Sequence, residues 1–288
     1  MNWLNKFFGI ENTVSAPIVI SLVVFIIGGL VNYIRKSLQE YFNRKRIRKT
    51  FRLLIKEVVA ELKIKEKLTK SFYSKISINL NSNWEFNYAT ISYLETFFEL
   101  NFNETYYSFR KVFFWNFCNK SGNRAFHLIW AILRKLKFFE ERLQIDINDF
   151  EAKYNKCIEG YNSKLEEYRM YHDRLTEVIK NKDVKEMDTE VYSYLKKQDE
   201  HWVSWQNLDE NNRTTPYMTY NYIIKPILQL NRESTLPIAR ESDDFLLGCT
   251  NQYIELENVF DTYKKVFKNY CWYYRKSYRV LIACLKLI

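Results

Sequence analysis

Glycine and proline are scarce in this chain, six and four among 288 residues. Turn-rich β-sandwiches and disordered chains use far more of both, so those classes are excluded. Histidine is scarcer still: His127, His172 and His201 are the full set, and no two stand four residues apart. The HxxxH and HExxH metal patterns are therefore missing. The five cysteines, Cys118, Cys157, Cys249, Cys271 and Cys284, are odd in number and contain no CxxC pair. They do not make a disulfide framework, and each reads as a reduced, small buried side chain. GxSxG, GxxxxGK[ST] and GxGxxG are absent as well, so there is no handle for a hydrolase elbow, a nucleotide cradle or a dinucleotide fold. No motif calls for a metal or a cofactor.

What the chain has in excess is apolar and aromatic side chains and positive charge, with 17% aromatics and a formal +10. From Ala16 to Ile34 it reads APIVISLVVFIIGGLVNYI, nineteen residues without a charge. As a helix that run spans roughly 28 Å, the thickness of a bilayer's hydrocarbon. Only Lys6 and Glu11 precede it, which is not the charged n-region and short apolar stretch of a cleaved signal peptide. A core helix of a soluble domain seldom stays apolar on every face for so long. The expectation is an uncleaved transmembrane helix over 16–34, preceded by a short interfacial tail, 1–15, in which Trp3, Leu4, Phe7, Phe8 and Ile10 serve as interfacial anchors.

Residues 35–70 contain thirteen basic and four acidic side chains, residues 71–261 contain 23 against 29, and residues from 262 onward contain seven against none. The first basic block lies beside the apolar run. By the positive-inside rule its side is cytoplasmic, which makes a single-pass membrane protein with its amino terminus outside. Arg35, Lys36, Arg44, Lys45, Arg46, Arg48, Lys49 and Arg52 are the candidate headgroup or polyanion ligands, with anionic lipid the first partner and nucleic acid the second. Within the apolar run, Ser21, Gly28 and Asn32, with Gly29 beside them, share one helical face. Small and polar residues there allow anchors to approach and hydrogen-bond, and a ring of them would place Asn32 on a narrow polar path. A homo-oligomer is the expected assembly.

Beyond Gly29 no proline occurs until Pro216. Long helices and an all-α fold follow, with a basic juxtamembrane helix over 35–70 and a cytoplasmic helical domain over 71–288. Ile47, Phe51, Leu54, Val58, Leu62 and Ile64 form an apolar stripe in the first of these. Asn79–Asn83 and Asn119–Asn123 read as loops flanking aromatic core helices over 84–117. Ile147, Tyr154, Tyr161, Tyr168 and Leu175 recur every seven residues, with Phe150, Cys157, Tyr171 and Val178 in most of the complementary positions. This heptad seam, broken by Lys164, predicts a long antiparallel hairpin or a modest oligomeric coiled coil. Three prolines within 216–237 predict an irregular connection with short helical pieces, followed by the acidic cluster Glu241, Asp243 and Asp244. A helical pattern resumes from 250, with Tyr253, Leu256, Val259, Phe260, Tyr263, Val266, Phe267 and Tyr270 on one face, as a core helix or one lying on the membrane surface.

Catalysis has little to stand on. The arginine–histidine spacing of helical HEPN-type ribonucleases fails at Arg124–His127 and Arg169–His172, where only two residues intervene. His201, between Glu200 and Trp202, is the best general-base candidate, although a helix histidine is far more often a solvated or half-buried one. The apolar span at 16–34, the basic run Arg44–Arg52 and the aromatic helical body together resemble the membrane-anchored helical effectors of bacterial antiphage, or abortive-infection, systems. That resemblance implies assembly on a trigger and perturbation of the inner membrane. A membrane-tethered adaptor for a protein or nucleic acid is the alternative.

Overall fold

A computed structural model describes residues 12–76, 90–109, 120–181, 188–213 and 215–288. Among them every element is helical: α1 (Asn12–Lys75), α2 (Ser92–Phe98), α3 (Phe102–Phe109), α4 (Lys120–Asn181), α5 (Thr189–Gln206), α6 (Glu210–Arg213), α7 (Pro216–Thr219), a π-helical segment (Tyr220–Ile224), α8 (Lys225–Glu233) and α9 (Pro237–Leu287). The chain divides into two compact units, one of Met1–Val58, Ser92–Ile129 and Ala283–Ile288, the other of Val59–Ile91 and Trp130–Ile282. The helices α1, α4 and α9 contribute residues to both.

In the first unit the packing is aromatic. The Phe51 ring of α1 lies 5.3 Å from the rings of Phe97, Phe109 and Phe126. Phe102 and Tyr106 of α3 extend this cluster to Phe126 and to the exposed His127. Burying each such ring contributes about 1.5–3 kcal/mol. The polar stretch around Gly122, expected as a loop, is instead the first turn of α4. Ala125 and Phe126 are buried one turn later, and that packing outweighs a weak local preference for a turn. Asn119, the 79–83 loop, the tail 1–11, Cys118 and much of 84–117 lie outside the described residues.

In the second unit three long helices carry one rhythm. On α1 the buried positions are Leu62, Lys65, Thr69 and Phe72, in steps of three, four and three, and Ile76, one residue past the helix, is buried as well. On α4 Leu133, Leu136, Glu140, Leu143, Ile147 and Phe150 are buried, and Cys157, Tyr161 and Tyr168 continue the series. On α9 the series runs from Leu246 and Cys249 through Phe267 and Tyr270 to Tyr274, Ser277 and Leu281. A 3–4 rhythm keeps one seam of each helix facing its neighbours. Relative direction follows from which residues meet. Lys65 reaches Glu140, and Phe72 packs 6.3 Å from Phe150, so α1 and α4 run the same way. Tyr274 reaches Glu140, while Phe267 packs on Phe150 and Phe72, so α9 runs against both. The expected seam of α4 is spent inside the chain: Tyr154 packs on Phe260, Tyr171 on Phe245 and Tyr168 on Trp202. Lys164, the seam's exception, turns aside to pair with Glu167 at 2.8 Å. Ile64, placed on the α1 stripe by sequence, is exposed; Ile55 and Lys65 occupy the seam in its place.

The region of three prolines carries the expected short helical pieces, α7, the π-helical segment and α8. Pro216 and Pro237 each open a helix, where the missing N–H forfeits no bond. Pro226 sits inside a helical run because the π segment precedes it: Lys225 N–H already bonds the carbonyl of Tyr220, five residues back. The acidic residues Glu241, Asp243 and Asp244 therefore belong to the start of α9, which begins at Pro237 rather than near 250.

Candidate membrane-facing segment

From Pro17 to Phe42 the side chains of α1 are exposed except for Val19, which is half-buried. The span is apolar enough and long enough to cross a membrane, and none of its most apolar stretch is buried within the chain. It is thus not a core helix of this fold. Phe25 illustrates the point, with 81% of its surface free. At about 100° per residue, Ser21, Gly28 and Asn32 fall within an arc of about 40°, with Gly29 about 60° to one side. A Cβ built on Gly28 or Gly29 meets nothing within 4 Å. No intrachain packing requires either glycine.

The basic residues form a collar rather than a stripe. At the same angular step, Arg35 and Arg46 share one side, Lys36 and Lys49 lie on flanking sides, and Arg44, Arg48, Arg52 and Lys45 occupy the rest of the circumference. Their local partners are few and weak. Arg44 pairs with Glu40 at 3.5 Å, Arg46 donates to Asn43 Oδ1 at 3.1 Å, and Arg48 Nε donates to the Arg44 carbonyl at 3.4 Å. Such exposed contacts contribute under about 1 kcal/mol each. Arg52 differs from the rest, because its guanidinium donates to the backbone carbonyl of Ile288, just past the last turn of α9. A cation there complements the carbonyl end of that helix. Beside the collar, a groove of about 200 Å³ runs between α1 and α3, lined by Glu40, Asn43, Arg44, Ile47, Glu104, Tyr107 and Ser108.

Nothing in the described residues resembles a reaction centre. No group of three potential metal ligands is present among them. His172 touches the rings of Tyr168 and Trp202, and burial lowers its pKa, with Asp173 and Asp199 opposing. His201 is half-buried on α5. Cys157, Cys249, Cys271 and Cys284 are buried and free, and burial raises each thiol, Cys249 to about 12. These are inert, structural thiols.

Two buried polar assemblies escaped the sequence reading. In the first, Lys65 Nζ meets Glu140 Oε2 at 2.9 Å and Tyr274 Oη donates to Glu140 Oε1 at 2.6 Å, all three side chains within the seam. Burial lowers the Lys65 pKa, and Glu140 opposes that through its charge and its hydrogen bond. The signal was present: Lys65 continues the heptad of Phe51 and Val58, and Glu140 continues that of Phe126 and Leu133. In the second, Asn231 of α8 ties three helices together. Its Oδ1 accepts from Tyr194 Oη at 2.6 Å, and its Nδ2 faces the Ala239 carbonyl, Ser242 Oγ and Asp243 Oδ1 at 3.0, 2.6 and 2.8 Å. Gln198 completes it by donating to Tyr194 Oη at 2.7 Å. No periodicity announces that network. Compared with known proteins, the chain matches no family model, no curated sequence and no solved structure.

Proposed function

We propose that this chain is a single-pass protein of the bacterial inner membrane, its amino terminus outside and its helical domain in the cytoplasm, that acts by self-association of its anchors and perturbation of the bilayer. The observation that carries the reading is the exposed apolar run at the start of α1. Twelve Leu, Ile, Val and Phe side chains lie between residues 16 and 34. At about −0.3 to −0.6 kcal/mol each, they favour insertion by roughly 4–7 kcal/mol. A cleaved leader is disfavoured, because the same helix continues without a break to Phe51, whose ring belongs to the aromatic core.

The collar then lies at the cytoplasmic headgroups, where each Lys or Arg contributes about 1 kcal/mol against an anionic leaflet. Tyr41 and Phe42, both exposed, fall between the two groups of cations as interfacial rings. Asn32 and Ser21 supply hydrogen-bonding groups on a face that has no partner among the described residues. A second copy answers that need, with the glycines admitting close approach. In this reading α4 and α9 pair as the long hairpin of a cytoplasmic bundle that carries the anchor. Antiphage defence is the setting implied by the architectural resemblance.

The test is made in cells. Alkaline carbonate should leave the chain in the membrane pellet. Crosslinking should give oligomers that Gly28→Leu/Gly29→Leu weakens, while thermal unfolding is unchanged because both sites are open. A voltage-sensitive dye should report depolarisation on inducible expression that the same variant abolishes. Carbonate extraction into the supernatant would refute the anchor, and a toxic state with unchanged potential would refute the mechanism.

A further inference from the structure

The buried seam of α9 takes up its aromatic face, which leaves an outward face of a different character. Lys265, Lys268, Trp272, Lys276 and Arg279 are all exposed. At about 100° per residue they lie within an arc of about 80°, strung over about 21 Å of helix. No acidic residue interrupts them, and the nearest on that face, Asp261, marks the stripe's end. Arg275, at the stripe's edge, is committed to Glu66 at 2.6 Å, so it fixes the border rather than adding a free charge.

Trp272 sits in the middle with 58% of its surface exposed. A large apolar ring held in water by choice of position invites a partner. Lys276 Nζ stands 4.8 Å from its centroid, over one face of the ring. The ring contacts that bury the neighbouring aromatics, Phe139 on Tyr273 at 4.0 Å and Tyr270 on Tyr274, do not include it.

We propose that this stripe is a binding surface for single-stranded nucleic acid, in which the pairs Lys265/Lys268 and Lys276/Arg279 contact phosphates on either side of a base that stacks on Trp272. Within each pair the cations rise about 4.5 Å along the helix, and about 12 Å separates Lys268 from Lys276, with Trp272 midway between them. Sequence-tolerant binders of single strands pair such a charged track with an aromatic platform. A membrane surface fits less well. A helix lying in the interface needs an apolar face to insert, and on α9 that face, with Phe267, Tyr274 and Leu281, is already buried. The surface is independent of the anchor and of any role for it.

The experiment uses the full chain in detergent micelles and a fluorescein-labelled single-stranded oligonucleotide of mixed sequence, read by anisotropy across a salt series. Binding should fall with salt, and Lys265→Gln/Lys268→Gln/Lys276→Gln/Arg279→Gln should reduce the slope of log K against log salt by about 2.8, at about 0.7 per phosphate contact. Trp272→Ala should weaken binding roughly tenfold at fixed salt, with Trp272→Phe recovering part of the loss. The same quadruple change moved to the collar, at Lys45, Arg46, Arg48 and Lys49, should leave the Trp272 effect intact. All the altered side chains are exposed except the half-buried Arg48, and unchanged circular dichroism confirms the fold. Three results would overturn the proposal: no binding of the strand, binding that Trp272→Ala leaves untouched, or stripe-dependent binding to phosphatidylglycerol vesicles with none to the strand.

Discussion

Replacing Lys65 with methionine tests the buried polar layer most directly. Methionine keeps the length and apolar stem of lysine but removes the ammonium, so Glu140 loses its ion pair while Tyr274 still donates to it. Breaking a buried pair by removing one partner costs about 3–5 kcal/mol. The hydrogen bond that Tyr274 keeps sets the expectation at the lower end of that range, about 3–4 kcal/mol at pH 7. For a chain of this size it appears as a fall in midpoint of roughly 6–16 °C. The triple variant Lys65→Met/Glu140→Leu/Tyr274→Phe strands nothing, and should match or exceed the unaltered protein. On the alkaline side, Lys65 in the native protein has its pKa lowered by burial. The unfolded chain then binds the proton more tightly, so this group makes stability rise with pH towards about 10.4, and the methionine variant should lack that rise. Thermal unfolding followed at 222 nm across pH 5–10 measures all of this. A single variant within about 1 kcal/mol of the parent at pH 7 would show that the layer is solvated and the account mistaken.

Two further outcomes follow from buried polar groups. Burial lowers the pKa of His172, so the unfolded chain takes up a proton first as pH falls below about 6.5; stability should drop from there until the native pKa is passed, and His172→Gln should flatten that acid limb in the same melts. Asn231→Leu leaves Tyr194 Oη and Ser242 Oγ short of a partner and should cost about 2–4 kcal/mol, with faster hydrogen exchange in α5 and α8; an exchange pattern like the parent's would contradict its role as their tie.

The helical class and the apolar segment were legible because they rest on long-range composition: few glycines and prolines, nineteen uncharged residues, and a heptad from Ile147 to Leu175. Period alone does not say which helices meet, and Lys65 shows why charged seam positions are easily missed. In a block of thirteen cations it looked like one more solvated charge, although its place in the series of Phe51, Val58 and Phe72 marked it as interior. Gly122 and Pro226 misled in the opposite direction, because each has a local preference for breaking a helix that packing or a π turn overrides. The basic run is legible in the sequence, but the contact that gives Arg52 to the end of another helix is not. Trp272 was visible as an aromatic but not as an exposed one, since only the burial of Phe267, Tyr270 and Tyr274 reveals which way it faces.

The 3–4 rhythm of α4 also limits how the gene for this chain can change. Deleting a single residue near Ile145 would turn every later side chain by about 100°, carrying Phe150, Cys157 and Tyr161 off the interior and Glu151 and Asn162 into it. Deleting seven leaves the faces aligned but carries each layer past its counterpart, so that Phe150 no longer meets Phe267. Length in this helix is thus inherited in whole heptads matched on α1 and α9, and a relative with one heptad more or fewer should show the same change in all three.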